Sequence, residues 1–142
     1  MKQEYWINVK HVDNRMLIFI NGETVWDSGI VHNDPDMDVF IDITDHLFRH
    51  INHSVELIFE GFNDSYDAEE GDLNPWHFEY RILERVADDA GRVMSEQEMI
   101  SGYNEKHQSN PNIRAMNNCY RVVRKDNSFK VVSNSLSQNF YN

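Results

Sequence analysis

Between Met16 and Phe59 the chain consists of short apolar segments separated by turn formers, a pattern that leaves few architectures open. Met16-Leu17-Ile18-Phe19-Ile20 contains no polar residue, and Asn21-Gly22 follows at once. Both of those positions tolerate a positive φ, the requirement of a two-residue hairpin. Thr24-Val25-Trp26 is therefore the expected returning strand, and Asp27-Ser28-Gly29 the next turn. Past Asn33-Asp34-Pro35-Asp36, Val39, Ile41 and Ile43 alternate with Phe40, Asp42 and Thr44. Thr44 or Asp45 is the expected cap of a short helical turn over His46-Leu47-Phe48. Ser54 to Phe59 alternates again, with Val55, Leu57 and Phe59 inward and Glu56 and Glu60 outward. Segments this short, of period two or uniformly apolar and closed by turn residues, predict an all-β antiparallel sandwich.

The flanks extend the pattern. Tyr5, Ile7 and Val9 alternate with Trp6, Asn8 and Lys10 as a first strand, and His11 to Asn14 reads as a turn. The Met16–Ile20 run is too uniformly apolar for a wet face and belongs centrally. Trp76, Phe78, Tyr80 and Ile82 form one face of a later strand, with His77, Glu79 and Arg81 on the other. Trp6 and Trp26 are expected to be buried. Ser95-Glu96-Gln97-Glu98 has the spacing of a capping box, which predicts a short helix to about Ser101 with Gly102 at its end. Tyr103 to Asn118 then reads as a long loop, so a helix and a loop are expected across residues 95–118. Cys119 to Arg124 and Phe129 to Val132 complete the strands around Lys125-Asp126-Asn127-Ser128. With no internal repeat and no linker composition, residues 1–132 make one expected domain and 133–142 a polar tail.

Charge narrows the function classes. The net charge is −11, unevenly spread: residues 1–90 hold 20 acids and 6 bases, residues 91–142 hold 4 acids and 7 bases. An acidic front half repels a polyanion, so nucleic acid is not an expected partner. Cys119 is the one cysteine, which excludes an internal disulfide and a Cys-rich zinc site. Met1-Lys2-Gln3-Glu4-Tyr5-Trp6 lacks the apolar run of a signal peptide, and no stretch approaches the roughly 18–20 apolar residues of a membrane span. The expectation is a cytoplasmic protein without a membrane partner, with non-classical export left open.

Phe19-Ile20-Asn21-Gly22-Glu23, Asp42-Ile43-Thr44-Asp45, Leu47, Asn52 and Val55-Glu56-Leu57 together resemble a pattern of jelly-roll, galactose-binding-like β-sandwiches. Sugar-binding domains attached to glycoside hydrolases are among them. In that pattern a strand ends in an Asn-Gly hairpin, an Asp-apolar-Thr-Asp box follows, and a turn with an Asn leads into an alternating strand. The resemblance covers roughly residues 16–60 and departs at His50, where the family usually has glycine. It implies a jelly-roll-like fold. Its residues are structural, and the fold serves many functions.

Three clusters have chemical readings. Glu60, Asp64, Asp67, Glu69, Glu70 and Asp72 fall within thirteen residues with no base among them. Calcium takes six to eight oxygen ligands, which Asp64, Asp67, Glu69, Glu70 and Asp72 could supply; a solvated acidic loop is the commoner alternative. The spacing is not that of an EF-hand. Trp76, with His77, Asn63, Asp64 and Asp72, could stack on a sugar and hydrogen-bond its hydroxyls, although an aromatic at period two is more often core. His46, His50 and His53 stand at i, i+4 and i+7, a zinc-capable spacing on a helix, but the segment is short and surface histidines are the simpler reading. No Gly-Xaa-Ser-Xaa-Gly elbow, phosphate loop or dinucleotide fingerprint occurs, and Cys119 reads as a small buried side chain.

These observations lead to a non-catalytic, lectin-like carbohydrate-binding module, calcium-assisted through loop 60–77, with a homo-oligomer fitting the avidity such proteins use. The rival is an acidic accessory, inhibitor or immunity-like module that docks on a basic partner protein. A sugar-active enzyme stands third.

Overall fold

The alternation at Tyr5, Ile7 and Val9 extends past both of its expected ends, into a strand β1 of Lys2–Asp13. A computed structural model describes residues 1–31, 36–50, 54–62, 76–106, 115–126 and 128–133. Within them follow β2 (Arg15–Ile20), β3 (Glu23–Asp27), β4 (Val39–Asp42), α1 (Thr44–Arg49), β5 (Val55–Phe62), β6 (Trp76–Ala87), β7 (Val93–Lys106), β8 (Ala115–Lys125) and β9 (Ser128–Ser133). The strands form two sheets, of order β4-β1-β6-β7 and β3-β2-β5-β8-β9, and every pair is antiparallel. The expected all-β sandwich is the observed fold.

Period-two burial makes the core. Tyr5, Ile7 and Val9 of β1 and Phe78, Tyr80 and Ile82 of β6 face Met16, Ile18, Leu57, Phe59, Met116 and Tyr120 of the other sheet, all of them buried. Full burial of each such side chain contributes roughly 1.5–3 kcal/mol. Phe59 stacks on Tyr80 across the layers, ring centroids 3.7 Å apart and 6° from parallel. Polar groups in this interior are paired: the Tyr80 and Tyr120 hydroxyls share a hydrogen bond, Asn118 Nδ2 donates to Tyr80 Oη at 2.9 Å, and Asn104 Nδ2 donates to Asn118 Oδ1 at 2.7 Å. Burial pushes both phenols above their ordinary value, Tyr80 the further.

The Asn21-Gly22 hairpin stands as expected, with φ of 48° and 81°, and β2 lies between β3 and β5. Five expectations are corrected. His11 to Asn14 is not a turn: Val12 is buried, the strand runs to Asp13, and the chain passes straight from one sheet into the other, with Val31 N–H donating to Asn14 O at 2.6 Å. Residues 95–101 are strand, not helix, because β6 needs a partner along its free edge; pairing overrides a capping spacing of four residues. The described residues of the expected 103–118 loop are the ends of β7 and β8, and 107–114 lie outside the described residues. Neither Thr44 nor Asp45 caps α1. Thr44 Oγ1 instead accepts the Tyr5 N–H at 2.9 Å, and Asp42 Oδ1 accepts the Thr44 N–H at 2.9 Å. Glu60, placed on a wet face, is 8% exposed. The turn before β5 begins at His50 with φ of −111°, a conformation any residue adopts, so the resemblance's glycine is not required at that position.

Candidate functional site

Because Tyr5, Ile7 and Val9 point inward, Glu4, Trp6 and Asn8 present the opposite, outer face of the four-stranded sheet. Register sets their neighbours: Asp42 beside Trp6 and Phe40 beside Asn8 on β4, then Arg81, Leu83 and Arg85 on β6. The Arg85 guanidinium lies 5.1 Å from the Trp6 ring and 4.8 Å from the Phe40 ring, and its Nε donates to Glu96 at 2.7 Å. Two rings and a carboxylate thus fix one cation in place. Trp6, expected in the core, is half-buried on this face, and Trp26 is also half-buried.

Asn8 sits fully buried at the centre of this face. Its Nδ2 donates to Asp38 Oδ1 at 2.9 Å and to Val39 O at 3.1 Å, and its Oδ1 accepts from Arg81 Nε at 2.8 Å. Lys10 Nζ reaches the same Asp38 oxygen at 2.9 Å. The Asn8 amide, then Lys10, hold the Asp38 carboxyl below the usual carboxylate range.

Past Val9 a bulge inserts Lys10, and the register brings His11 opposite Glu79 and Asp13 opposite His77. On the other side of β6, Tyr103 lies opposite Glu79 and Glu105 opposite His77. The His77 and Tyr103 rings are 5.9 Å apart and 27° from parallel, with His11 6.5 Å beyond His77. His11 Nε2 stands 3.7 Å from Glu79, and the Tyr103 hydroxyl donates to Glu105. Tyr103 is 54% exposed. The result is a row of three flat rings with carboxylates alongside, at the end of β6 where residues 63–75 join it. Rings of this kind take apolar C–H surface, and the carboxylates accept hydrogen bonds from hydroxyls.

Of the residues singled out by sequence, His77 belongs to this row. Trp76 begins β6 opposite Lys106, and its side chain lies outside the described residues. Asn63, Asp64, Asp67, Glu69, Glu70 and Asp72 also lie outside them, as does His53. Among the described residues no group of three or more His, Cys, Asp or Glu side chains is arranged to hold a metal ion. Cys119 is 7% exposed, its Sγ 3.3 Å from Asn117 Oδ1. Sequence reading missed His11 and Tyr103, assigned to a turn and a loop. The alternation of Ser101, Tyr103 and Glu105 with Gly102 and Asn104 carried the signal, and the capping spacing just before it obscured it.

No helix among the described residues is long and apolar enough to cross a membrane. No known protein family and no curated protein matches the chain. Among solved structures, the apo structure of Bacteroides uniformis beta-glucuronidase 3 aligns with 94% of this chain at 7% identity and a TM-score of 0.29, and the chain spans 24% of that protein's length.

Proposed function

We propose that the protein is a non-catalytic, lectin-like carbohydrate-binding module whose ligand lies on the outer face of the four-stranded sheet. The observation that carries this reading is the near-parallel pair of the exposed Tyr103 and the half-buried His77, with Glu79 and Glu105 beside it. A pyranose has an apolar C–H face and a rim of hydroxyls; a ring plate with flanking acceptors complements both at once. The resemblance of residues 16–60 to galactose-binding-like sandwiches supports the same class.

A glycan array tests it, run with and without EDTA on the parent and on Tyr103→Ala. The expected outcome is retention of a defined glycan set by the parent and a loss of at least tenfold in affinity in the variant, since one aromatic contact of this kind contributes about 0.5–1.5 kcal/mol beyond the area it buries. An array without a single retained glycan removes the proposal. Salt-sensitive capture of a basic protein with no glycan binding would replace it with the acidic interaction module. Calcium belongs to the same proposal through Asp64, Asp67, Glu69, Glu70 and Asp72: thermal melts should rise with added calcium and fall back with EDTA. Oligomerisation, read by sedimentation, is expected to raise avidity on multivalent glycans.

A further inference from the structure

A second opening lies between the two sheets, away from the outer face. It is a cleft of about 410 Å3, lined from one sheet by Glu84 of β6 with Gln97 and Met99 of β7, and from the other by Phe129 and Val131 of β9. Register gives these side chains their direction. Glu84 stands opposite Tyr5 on β1 and opposite Gln97 on β7, and Tyr5 is fully buried, so all three belong to the inner face of their sheet. Across the gap Val131 pairs with the buried Val122, which puts Val131 and, two residues back, Phe129 on the inner face of the second sheet. Lys125 and Lys130 also border the cleft, but they pair with Ser128 and Val123, at positions of the other parity, so their side chains belong to the outer face. Arg124, beside Phe129, is exposed and its Nε donates to Asp126 O at 3.1 Å. Of the residues lining the cleft, the one that turns a charge inward is Glu84.

A carboxylate on the inner face of a sandwich is costly unless water or a partner meets it. Tyr5 meets part of that need: its hydroxyl donates to Glu84 while accepting the Phe129 N–H at 3.2 Å. Burial, with Glu84 close by, pushes the Tyr5 pKa up to about 12, so the phenol stays neutral. Among the described residues no Lys, Arg or His pairs with Glu84, so its charge is open to a cation from outside. Next to it Met99 and Val131, half-buried and packed against the core, make an apolar wall. The Phe129 ring is already engaged by Tyr5 at 5.1 Å and Phe48 at 5.3 Å, and only 5% of the residue is exposed. No aromatic cage for a quaternary ammonium exists there. What the walls offer is a carboxylate, an amide oxygen and a short apolar strip, in a volume within the roughly 300–1,000 Å3 typical of small-molecule sites.

We propose that this cleft binds a short primary alkylammonium, its –NH3+ donating to the Glu84 carboxylate and the Gln97 carbonyl and its chain lying along Met99 and Val131. The site is separate from the Tyr103 row and does not depend on it. Calorimetric titration with n-pentylammonium, 1-pentanol and tetramethylammonium at matched ionic strength tests the assignment, because pentanol lacks the charge and tetramethylammonium lacks the donors. Pentylammonium should bind at least tenfold more tightly than either. Glu84→Gln keeps the side chain's shape and an acceptor for Tyr5, and should lose at least tenfold in pentylammonium affinity. Gln97→Lys, at an exposed position directly opposite Glu84, sets a tethered ammonium beside the carboxylate and should lose as much with Glu84 intact, while Tyr103→Ala should change nothing. Thermal melts establish that each variant is folded. Undiminished binding by either folded cleft variant overturns the proposal. So does pentanol or tetramethylammonium binding as tightly as pentylammonium, and so does an absence of heat with all three probes.

Discussion

A β-carbon on Gly102 would lie 2.2 Å from Tyr80 Oη and 2.3 Å from Tyr80 Cζ. The Tyr80 ring has nowhere to retreat, since Phe59 is stacked against its face at 3.7 Å. Gly102→Ala must therefore displace the phenol that Asn118 and Tyr120 hold. We expect it to lose about 1–3 kcal/mol or more in urea unfolding. Tyr80→Phe removes the hydroxyl but keeps the ring atoms at 2.3 and 2.7 Å, so in a double-mutant cycle the Gly102→Ala penalty should shrink only in part on the Tyr80→Phe background and further on Tyr80→Leu. The sequence marks Gly102 as a place where a glycine matters, but the local pattern suggests a helix stop. The real cause, a ring arriving from a neighbouring strand, is not written in the residues around it. Tyr103 suffers the same way: its alternation with Gly102 and Asn104 is visible, but nothing local says that its ring will meet His77.

At the scale of elements, the β2–β3 hairpin contrasts with that site. A Cβ at Gly22 would meet nothing within 4 Å, and its φ is 81°, so substitution there costs backbone conformation alone. Gly22→Ala should lose about 1–2 kcal/mol, read by the same urea titration, without any change in core packing. Hairpins of this kind are legible in sequence because two adjacent residues carry the whole instruction. The alternating strands β1, β4, β5 and β6 are legible for a similar reason: burial on one face imposes a period of two. β7 is different. Its Ser95–Glu98 spacing suits a helix start, and its extended form is dictated by the backbone groups of β6 beside it. The turn between β6 and β7 is local again: Asp88 Oδ1 accepts the N–H groups of Ala90 and Arg92 at 3.0 and 2.8 Å, and Gly91 takes a φ of 84°.

For the whole molecule, acid response follows from three carboxyls held below their ordinary range: Asp27 by the Arg15 guanidinium, Asp38 by the Asn8 amide, and Asp88 by the Arg92 N–H. Each binds its proton less readily folded than unfolded, so stability rises with pH through this region. Their contribution is complete above the unfolded carboxyl value of about 4 and fades as pH falls through the lower folded values. In calorimetric melts, the triple variant Asp27→Asn/Asp38→Asn/Asp88→Asn should therefore lose less melting temperature between pH 5 and pH 3 than the parent. A net charge of −11 works in the other direction, since protonation relieves self-repulsion, and the comparison of parent with variant separates the two effects. The position of β1 also governs the order of assembly. It lies between β4 and β6, strands that begin at Val39 and Trp76. During synthesis the edge of β1 that pairs with β6 stays unpaired until Ala87 has cleared the exit tunnel, and the Tyr103 row forms later still with β7. Chaperone capture should accordingly be strongest on nascent chains from which residue 87 has not yet emerged, and weaken once that partner is out.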